Sequence, residues 1–170
     1  MNLNLSDITF VIVTYKSESI IQDCLNTLPS DSKKIIIENS NNIEFKKNIE
    51  ENYSNVQCYL TGENLGYAKG NNYGLSKVKS QFALILNPDT QLEKDTINNF
   101  IKSSEKIKDF AIIGPAKQDE FSKKDLNKYK DQIFEVSQLK GFAMFLNIKE
   151  FKDIGFFDKN FFIYLEEIDL

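Results

Sequence analysis

Apolar segments of strand length alternate with amphipathic segments of helix length from residue 8 to residue 113, and this alternation constrains the fold more than any other feature. The first segment, Ile8–Thr14, is β-branched and almost continuously apolar, which is typical of a parallel strand covered on both faces. Between Ser17 and Leu28, apolar residues then recur at helical spacing until Pro29. Strands that alternate with helices predict βαβ units with right-handed crossovers and a mostly parallel sheet.

The same alternation predicts further strands at 34–38, 56–60, 82–86 and 110–113, and further helices at 43–52, 67–78 and 94–107. The charged stretch 117–131 breaks the pattern, and we interpret it as a solvated excursion. Order is expected to return with strands at 133–136 and 141–146 and a helical segment at 148–154. At 170 residues and 41% hydrophobic content, the chain can form one buried core but not two ordinary domains. We therefore expect a single α/β domain with helices on both faces of the sheet.

The side chains that the sequence lacks exclude several kinds of chemistry. There is no His, and all 21 basic residues are Lys, so carboxylates and Lys must do any acid-base work. With a net charge of −4 and no dense Lys cluster, the protein is not expected to bind nucleic acid, which requires a basic face. A phosphate-bearing small molecule fits better, because a metal ion can supply the positive charge.

Cys24 and Cys58 are too few and too far apart for a metal site or a disulfide framework, and we interpret them as buried small hydrophobes rather than reactive thiols. The N-terminus shows no signal peptide, and no run approaches the ~20 apolar residues that span a bilayer. We therefore expect a cytoplasmic protein without a transmembrane segment, which could act at the inner face of the membrane.

Polar residues follow four of the predicted strands. Ligands of open α/β sheets bind at the carboxyl ends of the strands, so these residues are the first candidates for a site. They are Thr14-Tyr15, Glu38-Asn39-Ser40, Gly62-Glu63-Asn64 and Asn87-Pro88-Asp89.

Asp89 is the candidate metal ligand. It follows a predicted strand directly, and Pro88 stiffens the turn, so that its carboxylate can project at the sheet edge toward a hard divalent cation. The alternative is that Asp89-Thr90 caps the next helix.

Glycines and amides cluster between Glu63 and Gly74, where a predicted helix begins. A glycine such as Gly66 lets backbone N–H groups approach a ligand, and a helix N-terminus favours an anion. The spacing matches neither a dinucleotide fingerprint nor a P-loop. The alternative is a tight loop with close packing of the helix on the sheet.

Three carboxylates, Glu166, Glu167 and Asp169, lie beside bulky aromatic residues near the end of the sequence. Partial burial would raise the pKa of such a carboxyl and let it accept a proton from a substrate hydroxyl. The alternative is a solvated acidic face. Because a domain seldom ends on such a cluster, we expect the chain to be a fragment of a longer protein.

Taken together, these motifs resemble the family 2 glycosyltransferases, in particular the branch similar to bacterial rhamnosyltransferases. The resemblance runs from Phe10 to Leu170 and implies a GT-A, Rossmann-like domain, with 1–170 as its nucleotide-sugar-binding catalytic core, truncated at its C-terminus. Its motifs are Val11-Ile12-Val13-Thr14-Tyr15, Asn64-Leu65-Gly66-Tyr67-Ala68 with Asn71-Asn72 and Gly74, Leu86-Asn87-Pro88-Asp89, Gly155-Phe156-Phe157-Asp158 with Phe162 and Tyr164, and Glu166-Glu167-Ile168-Asp169-Leu170.

The resemblance also implies a role for each matching residue. Glu38 would face the base or ribose of the nucleotide, and Asp89 would hold Mg²⁺ or Mn²⁺. Glu167 would be the catalytic base of an inverting transfer, with Glu166 and Asp169 shaping the acceptor side. The residues of the nucleotide-sugar site would be Thr14, Tyr15, Glu38, Asn64, Gly66, Lys69 and Asn87.

The sequence departs from the family pattern at four of its positions. Lys16 stands where Asn is usual, Glu38 and Glu167 where Asp is usual, and Asn87 leaves the metal motif with one carboxylate. These substitutions alter the geometry of the site more than the fold.

Two alternatives to an active glycosyltransferase are consistent with the sequence. One is a nucleotide-sugar-binding module that is inactive on its own, and the other is a nucleotidyltransferase, which ranks lower because no glycine follows the first strand at 14–18. The donor could be a dTDP-, UDP- or GDP-sugar, with dTDP-rhamnose favoured by the branch resemblance. The acceptor could be a cell-surface polysaccharide, a lipid-linked glycan or a protein.

Overall fold

The computed structural model of the protein describes residues 3–107, 109–116 and 132–162. Six strands form one sheet in the order β3-β2-β1-β4-β6-β5. The elements are β1 (Ile8–Thr14), α1 (Ile21–Thr27), β2 (Lys33–Glu38), α2 (Ile43–Asn52), β3 (Val56–Leu60), α3 (Gly66–Leu75), β4 (Phe82–Leu86), α4 (Thr96–Lys106), β5 (Ile112–Ile113) and β6 (Ala143–Asn147).

The sheet is mostly parallel, as predicted. β1 lies between β2 and β4, and β2 pairs with β3, all in parallel register. β6 runs antiparallel to both β4 and β5. The four parallel strands therefore place their carboxyl ends along one edge of the sheet. The polar residues of the sequence motifs come just after these strand ends.

Helices cover both faces of the sheet, which confirms the prediction. On one face, Phe10 and Ile12 of β1 pack with residues of α1, α2 and α4, including Phe45 and Phe100. On the other face, Val11 packs with Ala68 and Leu75 of α3 and with residues of β4 and β6. Because both faces of β1 are buried, its sequence is apolar without alternation.

Three predicted elements differ from the structure. Residues 133–136 form no strand: Ile133, Phe134 and Val136 are exposed, so their apolar character does not reflect packing in the sheet. The predicted strand 110–113 shortens to β5, and the predicted helical segment 148–154 shortens to the 3-10 turn Ile148–Phe151. The predicted excursion 117–131 lies outside the described residues.

Candidate functional site

The carboxyl ends of β1, β2 and β3 border a small, open cavity of about 220 Å³ that polar residues line. The three strands are parallel neighbours, so the residues that follow them meet at one edge of the sheet. Two of the residues predicted for the site, Tyr15 and Asn64, line the cavity. Its full lining is Tyr15, Lys16, Asn39, Ser40, Asn41, Gly62, Glu63 and Asn64.

Tyr15 and Lys16 form one wall of the cavity. Tyr15 is 49% exposed, and the Nζ of Lys16 lies 5.4 Å from the centroid of its ring, a cation–π distance. Lys16 has a φ of +51°, which a residue other than glycine rarely adopts. This tight turn after β1 offers a ligand an aromatic face and a positive charge side by side.

Thr14 lies beneath the cavity rather than in its wall. Its hydroxyl donates to the carbonyl of Ile37 at 3.3 Å, and its own carbonyl accepts from the N–H of Asn39 at 2.8 Å. Thr14 is buried and joins β1 to β2. Direct contact between Thr14 and a nucleotide stays a prediction.

Glu38, the last residue of β2, is buried and turned toward its own loop. Its Oε1 accepts hydrogen bonds from the N–H of Ser40 at 2.9 Å and from the Ser40 hydroxyl. Its Oε2 accepts from the N–H of Asn42 at 2.7 Å. The predicted contact of Glu38 with the base or ribose stays a prediction.

Asn39 brings a buried amide to the cavity. Its Nδ2 donates to the carbonyl of Gly66 at 3.1 Å, whereas its Oδ1 has no hydrogen-bond partner among the described residues. A buried acceptor without a donor is unfavourable, so a ligand donor that reached this oxygen would recover a hydrogen bond. The sequence placed Asn39 among the polar strand-end residues but indicated no role for it.

The N-terminus of α3 lies next to the cavity. Two of the first N–H groups of this helix already donate to acceptors within the protein. The N–H of Gly66 donates to Oδ1 of Asn64 at 3.0 Å, and the N–H of Tyr67 donates to the carbonyl of Phe162 at 2.8 Å. Gly66 has a φ of +73°, and a Cβ there would lie 2.3 Å from that same carbonyl. Lys69 is exposed on the first turns of the helix.

Two other glycines of this motif bring α3 close to the sheet. A Cβ at Gly70 would lie 2.9 Å from Cγ1 of Val13, and one at Gly74 would lie 2.5 Å from Cγ1 of Val11. Real Cβ atoms do not approach carbon atoms so closely. The alternative of close helix-sheet packing therefore explains Gly70 and Gly74, which are not free to contact a ligand.

Asn87, Pro88, Asp89 and Thr90 form a turn after β4. The N–H of Thr90 donates to the carbonyl of Asn87 at 3.1 Å, and the N–H of Asn87 donates to the carbonyl of Phe142 at 3.0 Å. Asp89 is exposed within this turn. The helix-cap alternative is wrong, because α4 begins at Thr96, with Asp95 as its N-cap.

Asp89 is the candidate metal ligand among the described residues. Within 3–107, 109–116 and 132–162, no group of three or more Cys, Asp or Glu is placed to hold a metal ion. A single carboxylate suits a Mg²⁺-like ion that takes its other ligands from water and substrate phosphates. Among the described residues, the donor set therefore fits a cation that takes its remaining ligands from water and a bound phosphate.

Both cysteines are buried, as predicted. Burial raises the pKa of Cys24 to about 12, and the negative charge of Asp89 adds to the effect. Burial likewise raises the pKa of Cys58 to about 12. Both thiols are therefore neutral, and neither is suited to bind a metal or act as a nucleophile.

The segment that precedes the acidic cluster contacts α3 on the side of the helix that faces β6. Asn72 exchanges two hydrogen bonds with the main chain of Phe157, at 2.8 and 3.1 Å. The hydroxyl of Tyr67 donates to the carbonyl of Gly141 at 2.6 Å. The predicted catalytic residues Glu166, Glu167 and Asp169 lie outside the described residues.

The fold and the cavity define an α/β protein that presents a polar site at the carboxyl ends of parallel strands, the usual ligand position in such sheets. The chain belongs to glycosyl transferase family 2: the sequence model of that family matches residues 9–169.

Two curated relatives support this assignment. The low-salt glycan biosynthesis hexosyltransferase Agl10 of Haloferax volcanii is 23% identical over 188 residues, which cover 97% of this chain and 60% of Agl10. The rhamnosyltransferase WbbL of Escherichia coli is 25% identical over 195 residues, which cover 94% of this chain and 74% of WbbL. The chain thus spans about three fifths of the length of Agl10.

Solved structures confirm the predicted GT-A fold. The mannosyltransferase PcManGT from Pyrobaculum calidifontis, solved in complex with GDP-Man and Mn²⁺, matches with a TM-score of 0.73 at 13% identity, over 94% of this chain and 51% of PcManGT. S. aureus TarS 1-349 matches with a TM-score of 0.69 at 16% identity, over 94% of this chain and 52% of TarS 1-349. Within the part of the chain that the structure describes, no helix is long and apolar enough to cross a bilayer.

Proposed function

We propose that the protein is an inverting glycosyltransferase that moves a sugar from a nucleoside-diphosphate sugar to an acceptor hydroxyl. The observation that carries this proposal is the family match over residues 9–169, on a fold whose cavity lies at the carboxyl ends of β1, β2 and β3. The chemistry of the cavity supports it, because an aromatic face, an ammonium and several amides suit a nucleoside.

The nucleoside occupies the cavity in this proposal. The ring of Tyr15 stacks on the base, and the unpartnered Oδ1 of Asn39 accepts a hydrogen bond from a ligand donor. Thr14 supports this wall from beneath. The diphosphate extends from the cavity along the sheet edge toward Asn87, past Asn64, Gly66 and Lys69, where the Lys69 ammonium offsets part of its charge.

Asp89 would hold a divalent cation, Mg²⁺ or Mn²⁺, beside the diphosphate in this proposal. When bound, such an ion offsets the negative charge that builds up on the leaving diphosphate. Asp89 is suited to hold it because it is exposed in a turn fixed by the carbonyl of Phe142. The complex of PcManGT with GDP-Man and Mn²⁺ supports the pairing of nucleotide sugar and metal in this fold.

Glu167 is the proposed catalytic base. Its carboxylate takes the proton of the acceptor hydroxyl as the oxygen bonds to the anomeric carbon, and the bond from that carbon to the diphosphate breaks, leaving the electron pair on the phosphate oxygen. Attack opposite the leaving group inverts the anomeric centre. Glu166 and Asp169 are proposed to shape the acceptor side.

The proposed donors are dTDP-, UDP- or GDP-sugars, and the proposed acceptors are hydroxyls of a cell-surface polysaccharide or a lipid-linked glycan. The names of the two relatives, a hexosyltransferase of glycan biosynthesis and a rhamnosyltransferase, support this range. Residues 1–170 form the nucleotide-sugar-binding core, and a cytoplasmic location, including the inner face of the membrane, agrees with these substrates.

The test uses Asp89→Ala and Glu167→Gln in the full-length protein, with Asp95→Ala as the matched control, because Asp95 is also exposed but makes no side-chain cap bond. We expect Glu167→Gln to lower turnover by about 10²-fold or more while nucleotide binding persists. Asp89→Ala should lower turnover and metal-dependent nucleotide binding together. Turnover that survives both changes contradicts the proposed roles, and nucleotide binding without any turnover in the unchanged protein indicates a binding module.

A further inference from the structure

The hydroxyl of Tyr67 connects α3 to the short segment Gly141–Phe142, which directly precedes β6. It donates to the carbonyl of Gly141 at 2.6 Å. Residues 132–140, which come before this segment, form no helix or strand, so regular secondary structure supports the segment on one side only, through β6. The hydrogen bond from Tyr67 therefore supports the segment at the end away from β6.

The other carbonyl of this segment holds the turn that carries Asp89. The Phe142 carbonyl accepts from the N–H of Asn87 at 3.0 Å and from the hydroxyl of Thr90 at 3.2 Å. These two residues flank Asp89 in the turn 87–90, which the N–H of Thr90 closes by donating to the carbonyl of Asn87 at 3.1 Å. The position of the Asp89 backbone therefore depends on where the Phe142 carbonyl lies.

Tyr67 is itself held by contacts on several sides. Its N–H donates to the carbonyl of Phe162 at 2.8 Å, and its own carbonyl accepts from the side-chain amide of Asn71 at 3.1 Å. Its ring meets the ring of Phe157 edge-on, with 5.8 Å between the centroids. Close packing at Gly74 also holds α3 against β1. The Tyr67 hydroxyl therefore has a defined position relative to the sheet.

We infer that Tyr67 is a positioning residue for the proposed metal ligand Asp89 and that it acts through the segment Gly141–Phe142. This inference rests on the proposed function, in which Asp89 and Lys69 approach the diphosphate from different parts of the fold. Lys69 lies two positions after Tyr67 on α3, whereas Asp89 lies in the turn after β4. The Tyr67 hydroxyl holds these two charged groups at a fixed separation, which suits them to act on one diphosphate.

Tyr67→Phe removes the hydroxyl and keeps the ring, so the Gly141 carbonyl loses this donor and the Asp89 turn is held less firmly. The test is calorimetric titration of the full-length protein with the nucleotide that it prefers among UDP, dTDP and GDP, at several Mn²⁺ concentrations and in excess chelator. We expect the Mn²⁺ concentration that half-saturates the metal-dependent binding to rise by about three- to tenfold. The affinity in chelator should not change, because no residue that lines the cavity is altered.

Thr90→Val is the second variant, because it removes the hydroxyl that binds the other carbonyl of the segment Gly141–Phe142. It should also raise the Mn²⁺ requirement and leave the affinity in chelator unchanged. Tyr53→Phe is the matched control. Its hydroxyl also donates a hydrogen bond, to Oδ1 of Asn26 at 3.2 Å, but it lies at the end of α2 opposite to the cavity, so this change should alter neither quantity. Circular dichroism and thermal unfolding of each variant identify any loss of fold.

The outcomes separate the inference from the proposed function. A higher Mn²⁺ requirement without a loss of affinity in chelator supports the positioning role, in Tyr67→Phe or, if that variant does not fold, in Thr90→Val. An unchanged Mn²⁺ requirement in the folded variant overturns it, and so does an equal loss of affinity with and without the metal, which is the result expected of a purely structural role. If the unchanged protein binds no nucleotide, or binds it equally with and without Mn²⁺, the proposed role of Asp89 fails and the inference fails with it.

Discussion

The side-chain amide of Asn72 forms a reciprocal pair of hydrogen bonds with the main chain of Phe157: its Nδ2 donates to the carbonyl at 2.8 Å, and its Oδ1 accepts from the N–H at 3.1 Å. The pair joins two motifs that lie 85 positions apart in the sequence. Through it, the segment after Gly155 is held against α3 and leads to Phe162 at the N-terminus of that helix.

Asn72→Ala should therefore loosen this segment. The change leaves an N–H and a carbonyl of Phe157 without partners in a half-buried position, and we expect it to destabilise the fold by about 2 kcal/mol. Urea denaturation of both proteins measures this difference. Asn98→Ala, at an exposed position of α4, is the control and should change stability by less than ~0.5 kcal/mol. Equal effects of the two changes would show that the Asn72 pair does not hold the segment.

Gly74→Ala should destabilise the protein although alanine is the better helix former. The new Cβ would meet Cγ1 of Val11 at 2.5 Å and Cγ1 of Ile37 at 3.1 Å, and such overpacking costs about 1–3 kcal/mol. In a Val11→Ala background the main obstacle is absent, so the same change should cost less. A double-mutant cycle monitored by denaturation tests this, and additive effects would argue against the close packing of α3 on β1.

The ion pair between Lys46 and Glu50 covers the open side of edge strand β3. Glu50 accepts a hydrogen bond from the N–H of Cys58 at 2.8 Å, and Lys46 donates to the carbonyl of the same residue. An uncovered edge strand can pair with another chain. We expect the double change Lys46→Ala/Glu50→Ala to increase self-association, measured by analytical ultracentrifugation at matched concentrations.

The neighbouring pair Lys47–Glu51 provides the control. It has the same spacing on α2 and is more exposed, with 3.9 Å between its charged atoms. Lys47→Ala/Glu51→Ala removes the same charges, so it should associate no more than the unchanged protein. The interpretation of the edge would be wrong if both double variants behaved alike.

Acid should weaken the same cover. Burial raises the pKa of Glu50, but the hydrogen bonds from Lys46 and from the N–H of Cys58, together with the charge of Lys46, outweigh it, so the pKa lies below the ordinary glutamate value. A carboxyl with a lowered folded-state pKa contributes its stability above the ordinary value and loses it as the pH falls through the lowered value. The stability difference between the unchanged protein and Glu50→Gln should therefore shrink on acidification through that range, and a constant difference would contradict it.

The two thiols should resist alkylation in the folded protein. Burial raises the pKa of Cys24 and Cys58 to about 12, and only a thiolate reacts rapidly. We expect a thiol reagent such as iodoacetamide to label both residues only after denaturant is added. Fast labelling of Cys24 without denaturant would show that the β4 turn opens readily, since its thiol lies 3.8 Å from the carbonyl of Asn87.

Local patterns in the sequence predicted the central elements well. The bounds of β1, α2, β3 and β4 agree residue for residue with the predicted segments, because burial on one or both faces produces a regular apolar pattern in each. The same reasoning failed at 133–136, where Ile133 and Val136 are exposed although both are apolar.

The cavity was predicted only in part. All but two of its lining residues were candidates because they lie just after strands, whereas Lys16 and Asn41 reach the cavity through left-handed turns that residue type alone does not reveal. The orientation of Glu38 is set by hydrogen bonds from Ser40 and Asn42, which are close in sequence but depend on the backbone conformation of the loop 39–42. The sequence therefore indicated which polar and charged residues lie near the site more readily than the direction in which their side chains point.

The most direct test of the central claim is calorimetric titration of the protein with UDP, dTDP and GDP, each in Mn²⁺ and again with excess chelator. We predict that one of the three nucleotides binds preferentially in Mn²⁺ and that chelation weakens its binding, because in the proposed site Asp89 would hold the ion beside the diphosphate. Absence of binding by all three nucleotides under both conditions would contradict a nucleotide-sugar site at the carboxyl ends of β1, β2 and β3.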